Sequence, residues 1–209
     1  MKNLLRAVAL GACLAILSLA AACSSADSSR SVGSTSSEET RSFSVDEADV
    51  SFELPSDWEE FDRDKMRDAL SDSSAMDDLF DRMGVSIEQF QQMMASNVVL
   101  FVTAPYAEGG FLDNVNVVVA DGRLPSMGAF ELQYRGLGAT DVHSVKAITD
   151  VGDGYATTYT LEVNGTEVNG QAVALGVDDQ AVVITVSSRA AGEADELANG
   201  IRHSVARTP

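Results

Sequence analysis

The stretch from residue 142 to residue 188 constrains the fold most. Four runs, "VHSVKAIT", "GYATTYTLEV", "TEVNGQAVALGV" and "AVVITVSS", are separated by the turn-forming groups "DVGD", "NG" and "DD". Alternation is clearest in the second run, at Tyr155, Thr157, Tyr159 and Leu161. Successive side chains of a strand point to opposite faces, so this spacing describes strands with one buried face. Turns this short join antiparallel neighbours, because a parallel connection needs a crossover of about a dozen residues or more. The sequence thus predicts an antiparallel meander. Residues 164–166 also match a glycosylation triplet, but the leader described below is of bacterial type, and we read Asn164-Gly165 as a hairpin turn.

The chain before the meander adds strands and helices. Phe43 and Val45 alternate, as do Val50, Phe52 and Leu54, around "DEAD", which reads as a first hairpin. Pro55 ends its second strand, and Trp58 and Phe61 return apolar bulk to the core. A lone Trp invites a ligand-stacking role; a packed corner residue is the reading taken. Residues 62–97 lack alternation and carry helical spacing instead, in Met66, Ala69 and Leu70, then in Met76, Leu79, Phe80 and Met83, then in Ile87, Phe90, Met93 and Met94. Five of the seven methionines fall here. A Met-rich face can serve as an adaptable groove, but packing over the core is the reading taken. Its aspartates lack the spacing and closing Glu of a calcium loop.

Strands follow at 98–105 and 115–121. Ser126 is the expected N-cap of a helix through Leu137, with Phe130, Leu132 and Tyr134 as its apolar bulk. A terminal helix over 192–205 sets Leu197, Ile201 and Val205 on one face. The fold class expected is α+β: one antiparallel sheet flanked by helices, in a single domain over 43–209.

Residues 1–22 read as an export signal, with Lys2 and Arg6 before the apolar run "AVALGACLAILSLAAA". That run has 16 residues, whereas a spanning helix needs about 20. It closes on "LAAAC", which resembles the lipobox of bacterial lipoproteins, although Ala20 stands where leucine is usual. Cys23 is therefore the expected lipidation site, where the thiolate takes a diacylglycerol and the new N-terminus takes a further acyl chain. Two or three chains anchor stably where one is marginal. "LGAC" at 10–13 offers Cys13 as an alternative, but cleavage there leaves an apolar region of about six residues, below the usual minimum of about seven. The Ser-rich residues 23–42 read as a tether without the apolar surface needed to fold.

These are the only two cysteines, so no disulfide, zinc-thiolate site or thiol catalyst is expected in the domain. The net charge is −18, with 32 acidic against 14 basic residues, which disfavours nucleic acid and anionic headgroups as direct partners. His143 and His203, the two histidines, fall on a strand and on the terminal helix without a partner at metal-ligand spacing. No nucleophile-elbow motif occurs, and "YRGLGA" follows a helix rather than a strand, against a nucleotide-loop reading. No catalytic residue, cofactor or metal is expected.

The strand "SFELPSDWEEF", the helical segment, "LFVTAP", "NVNVVV", the helix near "MGAFELQYRGLGATDV", the meander and the final helix together resemble the Mog/PsbP-like superfamily, most closely the actinobacterial LpqN-type lipoproteins. The resemblance covers about 43–207, and its motifs bear on the fold rather than on an activity. It implies an α/β/α sandwich and a non-enzymatic, partner-binding or assembly role, and it carries no catalytic residue across. The expectation is a non-catalytic lipoprotein of the cell membrane's extracytoplasmic face, anchored through Cys23 and binding a protein partner of the envelope. A carrier or sensor of an apolar small molecule ranks second and a hydrolase third.

Overall fold

The computed structural model describes residues 39–61, 98–106, 111–163 and 165–208. Among them run β1 (Thr40–Val45), β2 (Val50–Pro55), β3 (Glu59–Glu60), β4 (Val98–Thr103), β5 (Asn114–Asp121), α1 (Met127–Gly136), β6 (Thr140–Thr149), β7 (Gly152–Val163), β8 (Thr166–Val177), β9 (Gln180–Ser188), α2 (Ala191–Ser204) and β10 (Ala206–Arg207). The class is α+β, as the sequence predicts.

The strands form two sheets rather than the single one expected. The larger has the order β3-β4-β5-β9-β8-β7-β6, and every neighbouring pair is antiparallel. The meander is present in full, and it runs inward from the β6 edge until β9 pairs with β5. The smaller sheet has the order β1-β2-β10. Its third member pairs Ala206 with Ser51 and Arg207 with Val50, a long-range match that periodicity cannot show. The first strand begins at Thr40, ahead of the Phe43 expected, because Thr40 to Ser42 find partners in Pro55 to Glu53.

The two faces of the large sheet pack differently. One lies against the small sheet and α2: Val102, Val117, Leu175 and Ile184 meet Phe43, Phe52, Ala198 and Ile201. Burying each such aliphatic side chain stabilises the fold by roughly 1.5–3 kcal/mol. The Phe43 and Phe52 rings stack at 6.3 Å, with the Arg41 guanidinium 4.4 Å above Phe43. Trp58 is buried in this core, and its carbonyl accepts a hydrogen bond from Arg41 at 2.5 Å.

The other face carries α1. The Ser126 hydroxyl accepts from Ala129 N–H at 3.4 Å, the expected N-cap, and Gly138 follows the helix at φ +89°, a conformation that favours glycine. Phe130 and Tyr134, one turn apart, form the buried face. Leu132 does not join them: it is 71% exposed, because two residues from Phe130 places it on the opposite side of a helix. On α2 the buried stripe is Ala194, Ala198 and Ile201, with Leu197 half-buried and Val205 just past the helix end. Alanines in that stripe let the helix approach the sheet closely. Gly200 is tolerated because it faces outward, where an added β-carbon would meet nothing within 4 Å.

Candidate functional site

Cys23 and the Met-rich stretch 62–97 lie outside the described residues. Both histidines are exposed. The His203 Nδ1–H donates to the Asn199 carbonyl on its own helix at 2.6 Å, and His143 stands on β6. Ser144, next to His143, turns to the other face and shares a buried 2.8 Å hydrogen bond with Thr157. Among the described residues, no three His, Cys, Asp or Glu side chains converge on a point where a metal ion would sit. Trp58 is a packed corner residue and presents no free stacking face.

Three other arrangements carry chemistry. The first lies under α1. Register places Thr103, Asn114, Ser187, Gly170 and Tyr159 in one row across the sheet, and Phe101, Asn116, Thr185, Ala172, Thr157 and Ser144 in the next. Five of those residues, on β4, β5 and β9, are polar, and Thr157 and Ser144 on β7 and β6 add two more. Beside them Tyr134 and Tyr159 stack with ring centroids 4.3 Å apart, and Phe130 meets Tyr134 and Tyr155 edge-on at 5.1 Å. Burial pushes the Tyr134 phenol up to about 12, against the opposing pull of its hydrogen bond with Thr185. Tyr155 also reaches about 12 through burial and the neighbouring Tyr134, while its hydroxyl donates to the Pro125 carbonyl at 2.5 Å. Burial also pushes the Tyr159 phenol well above its ordinary value, with Tyr134 adding to the effect. The Tyr159 hydroxyl is buried and has no partner within hydrogen-bond geometry. The alternation of Tyr155 and Tyr159 is legible in the sequence; the glycine opposite Tyr159 is not, because register decides it.

The second arrangement sits at the start of α2. Burial raises the Glu193 carboxyl above its ordinary value, and the carboxyl of Asp113 raises it further. The buried Ser188 hydroxyl donates to Glu193 Oε2 at 3.4 Å and accepts from Ala190 N–H at 3.0 Å, standing in for a side-chain N-cap. Gln171 of β8 donates to Asp195. Among the described residues these carboxyls do not belong to a group of three or more metal-ligating side chains.

The third is the free edge of β6. It ends the large sheet, and two of the four exposed large apolar side chains among the described residues, Val145 at 46% and Ile148 at 82%, lie on it. A bulge between Thr140 and His143, with Asp141 at φ +51°, irregularises only its start.

No family model matches the chain, and no curated protein matches it. Among solved structures it is similar to a PsbP-class protein, which defines its architecture as a PsbP-like fold. The particular match is the solution structure of cyanobacterial PsbP (CyanoP) from Synechocystis sp. PCC 6803, at a TM-score of 0.50 and 10% sequence identity, over 85% of this chain and 98% of that one. An identity this low speaks to the fold alone.

Proposed function

We propose that the chain is a non-catalytic lipoprotein, anchored through Cys23 on the extracytoplasmic face of the cell membrane, whose PsbP-like domain binds a protein partner of the envelope. The observation that carries this is "LAAAC" closing an apolar run that begins after Lys2 and Arg6. The Mog/PsbP-like resemblance, and within it that to actinobacterial LpqN-type lipoproteins, supports a partner-binding role over a reaction. The connection from Cys23 to the first strand is residues 24–39, whose Ser-rich composition suits a spacer between lipid and domain.

Cell fractionation with metabolic fatty-acid labelling tests the anchor. Wild type carries label and stays with membranes, and Cys23→Ala carries none and appears in the culture supernatant. Equal release of the two, or label retained by the variant, overturns the anchor reading.

A further inference from the structure

We propose that the free edge of β6 accepts an added strand from a partner protein, an extended segment in which apolar and acidic residues recur every third position. This rests on the partner-binding half of the function proposed above and not on the anchor.

An end strand shows a row of unpaired backbone N–H and C=O groups, and proteins normally shorten or cover such edges. The opposite end of the large sheet is shortened in this way, since β3 has two residues. β6 has ten, and after its bulge His143 to Thr149 pair regularly with β7 on the inner side. Among the described residues nothing pairs on the outer side.

The side chains along this edge repeat. His143, Ser144 and Val145 read basic, small, apolar; Lys146, Ala147 and Ile148 read the same. Because faces alternate along a strand, one face of the edge carries His143 and Val145 and the other carries Lys146 and Ile148. Each face therefore offers one basic and one apolar side chain, and both apolar groups are exposed. An antiparallel strand complements this with Val, a spacer and Glu, repeated twice, so that apolar meets apolar and acid meets base on both faces.

Charge selects the occupant. Lys146 is the lone lysine among the described residues of a chain whose net charge is −18. Arg135 of α1 adds a second permanent cation here, its guanidinium donating to the Val142 carbonyl of β6 at 2.7 Å. Asp141 and Asp150 flank the edge at its ends and Asp153 lies across from Ile148 on β7, leaving the centre basic. A second copy of the chain would bring −18 against −18 and the same cations against themselves. An acidic strand meets complementary charge, and its backbone supplies the sheet hydrogen bonds.

The test titrates the full chain in detergent with a fluorescent, end-capped Val-Thr-Glu-Val-Thr-Glu peptide and reads anisotropy. Saturable binding is expected, weakened about tenfold by Lys146→Glu and by Ile148→Thr, both at exposed positions. A peptide with Lys in place of Glu should bind Lys146→Glu better than wild type, and N-methylation of alternate peptide amides should abolish binding. No saturation up to about 1 mM, indifference to Lys146→Glu, or equal binding of the N-methylated peptide overturns the proposal. In cells, a photo-reactive residue at Ile148 should yield heterologous adducts. Adducts at Leu132 but not at Ile148 sink the edge proposal and leave partner binding standing; self-adducts at Ile148 replace the partner with a second copy; none at either position sinks both.

Discussion

Tyr159 lies flat across Gly170 of the neighbouring strand, so that a β-carbon at position 170 would fall onto its ring and 2.6 Å from its hydroxyl oxygen. Tyr134 lies against the same ring, with centroids 4.3 Å apart, which restricts how far Tyr159 can move. Gly170→Ala should therefore destabilise the domain by about 1–3 kcal/mol through overpacking. Tyr159→Phe should behave oppositely. It removes a buried hydroxyl that has no partner, and so should leave stability unchanged or raise it by up to about 1 kcal/mol. Urea unfolding checks both, as shifts in midpoint with an unchanged slope.

Alkaline titration should separate the tyrosines. The chain has four; burial raises Tyr134 and Tyr155 to about 12, and it also raises Tyr159 well above its ordinary value. A phenol whose folded pKa is raised binds its proton more tightly in the native state. Its contribution is therefore full below the ordinary value near 10 and is lost as pH climbs toward the folded value. Near-ultraviolet absorbance should show these three phenols ionising together with unfolding, not ahead of it.

Glu193 should weaken the fold at neutral pH. Its raised carboxyl favours the protonated native form, so stability falls as pH rises through the window between the ordinary Glu value and the raised one. Glu193→Gln should remove that slope and make the domain more stable at pH 7 than wild type. Equal pH dependence of the two melting temperatures would contradict the assignment.

Asp178 and Arg207 form a two-contact pair at 2.8 and 3.0 Å that fastens β10 to the turn between β8 and β9. The arginine's hydrogen bonds hold the Asp178 carboxyl below its ordinary value. Its contribution is present above that ordinary value and is lost as pH falls through the folded one. In Arg207→Ala the carboxyl resonance of Asp178 should titrate at higher pH than in wild type, with only a small change in stability, because both groups are exposed.

Local signals carried much of this architecture. The turn groups of the meander, the Ser126 cap and the parity of Phe43, Phe52 and Tyr159 all act between near neighbours and can be read along the chain. The division into two sheets cannot be, since it depends on Ala206 finding Ser51. Leu132 adds apolar bulk to α1 but lies off its buried face, which composition without helical angle does not reveal, and alanines rather than large residues line most of the buried face of α2. At the site level, the basic–small–apolar triplets of β6 are plain in the sequence, but only the sheet order makes them an edge. The Tyr159–Gly170 stack depends on register, which no spacing within either strand reveals.

The small sheet makes β2 a seam that joins the first and last strands, β1 on one side and β10 on the other. The polypeptide thus closes on itself like a clasped belt. Deleting Ala206 and Arg207 would remove few contacts in the core, yet it would open the clasp and leave the Val50–Ser51 end of β2, on the side away from β1, as an adhesive edge.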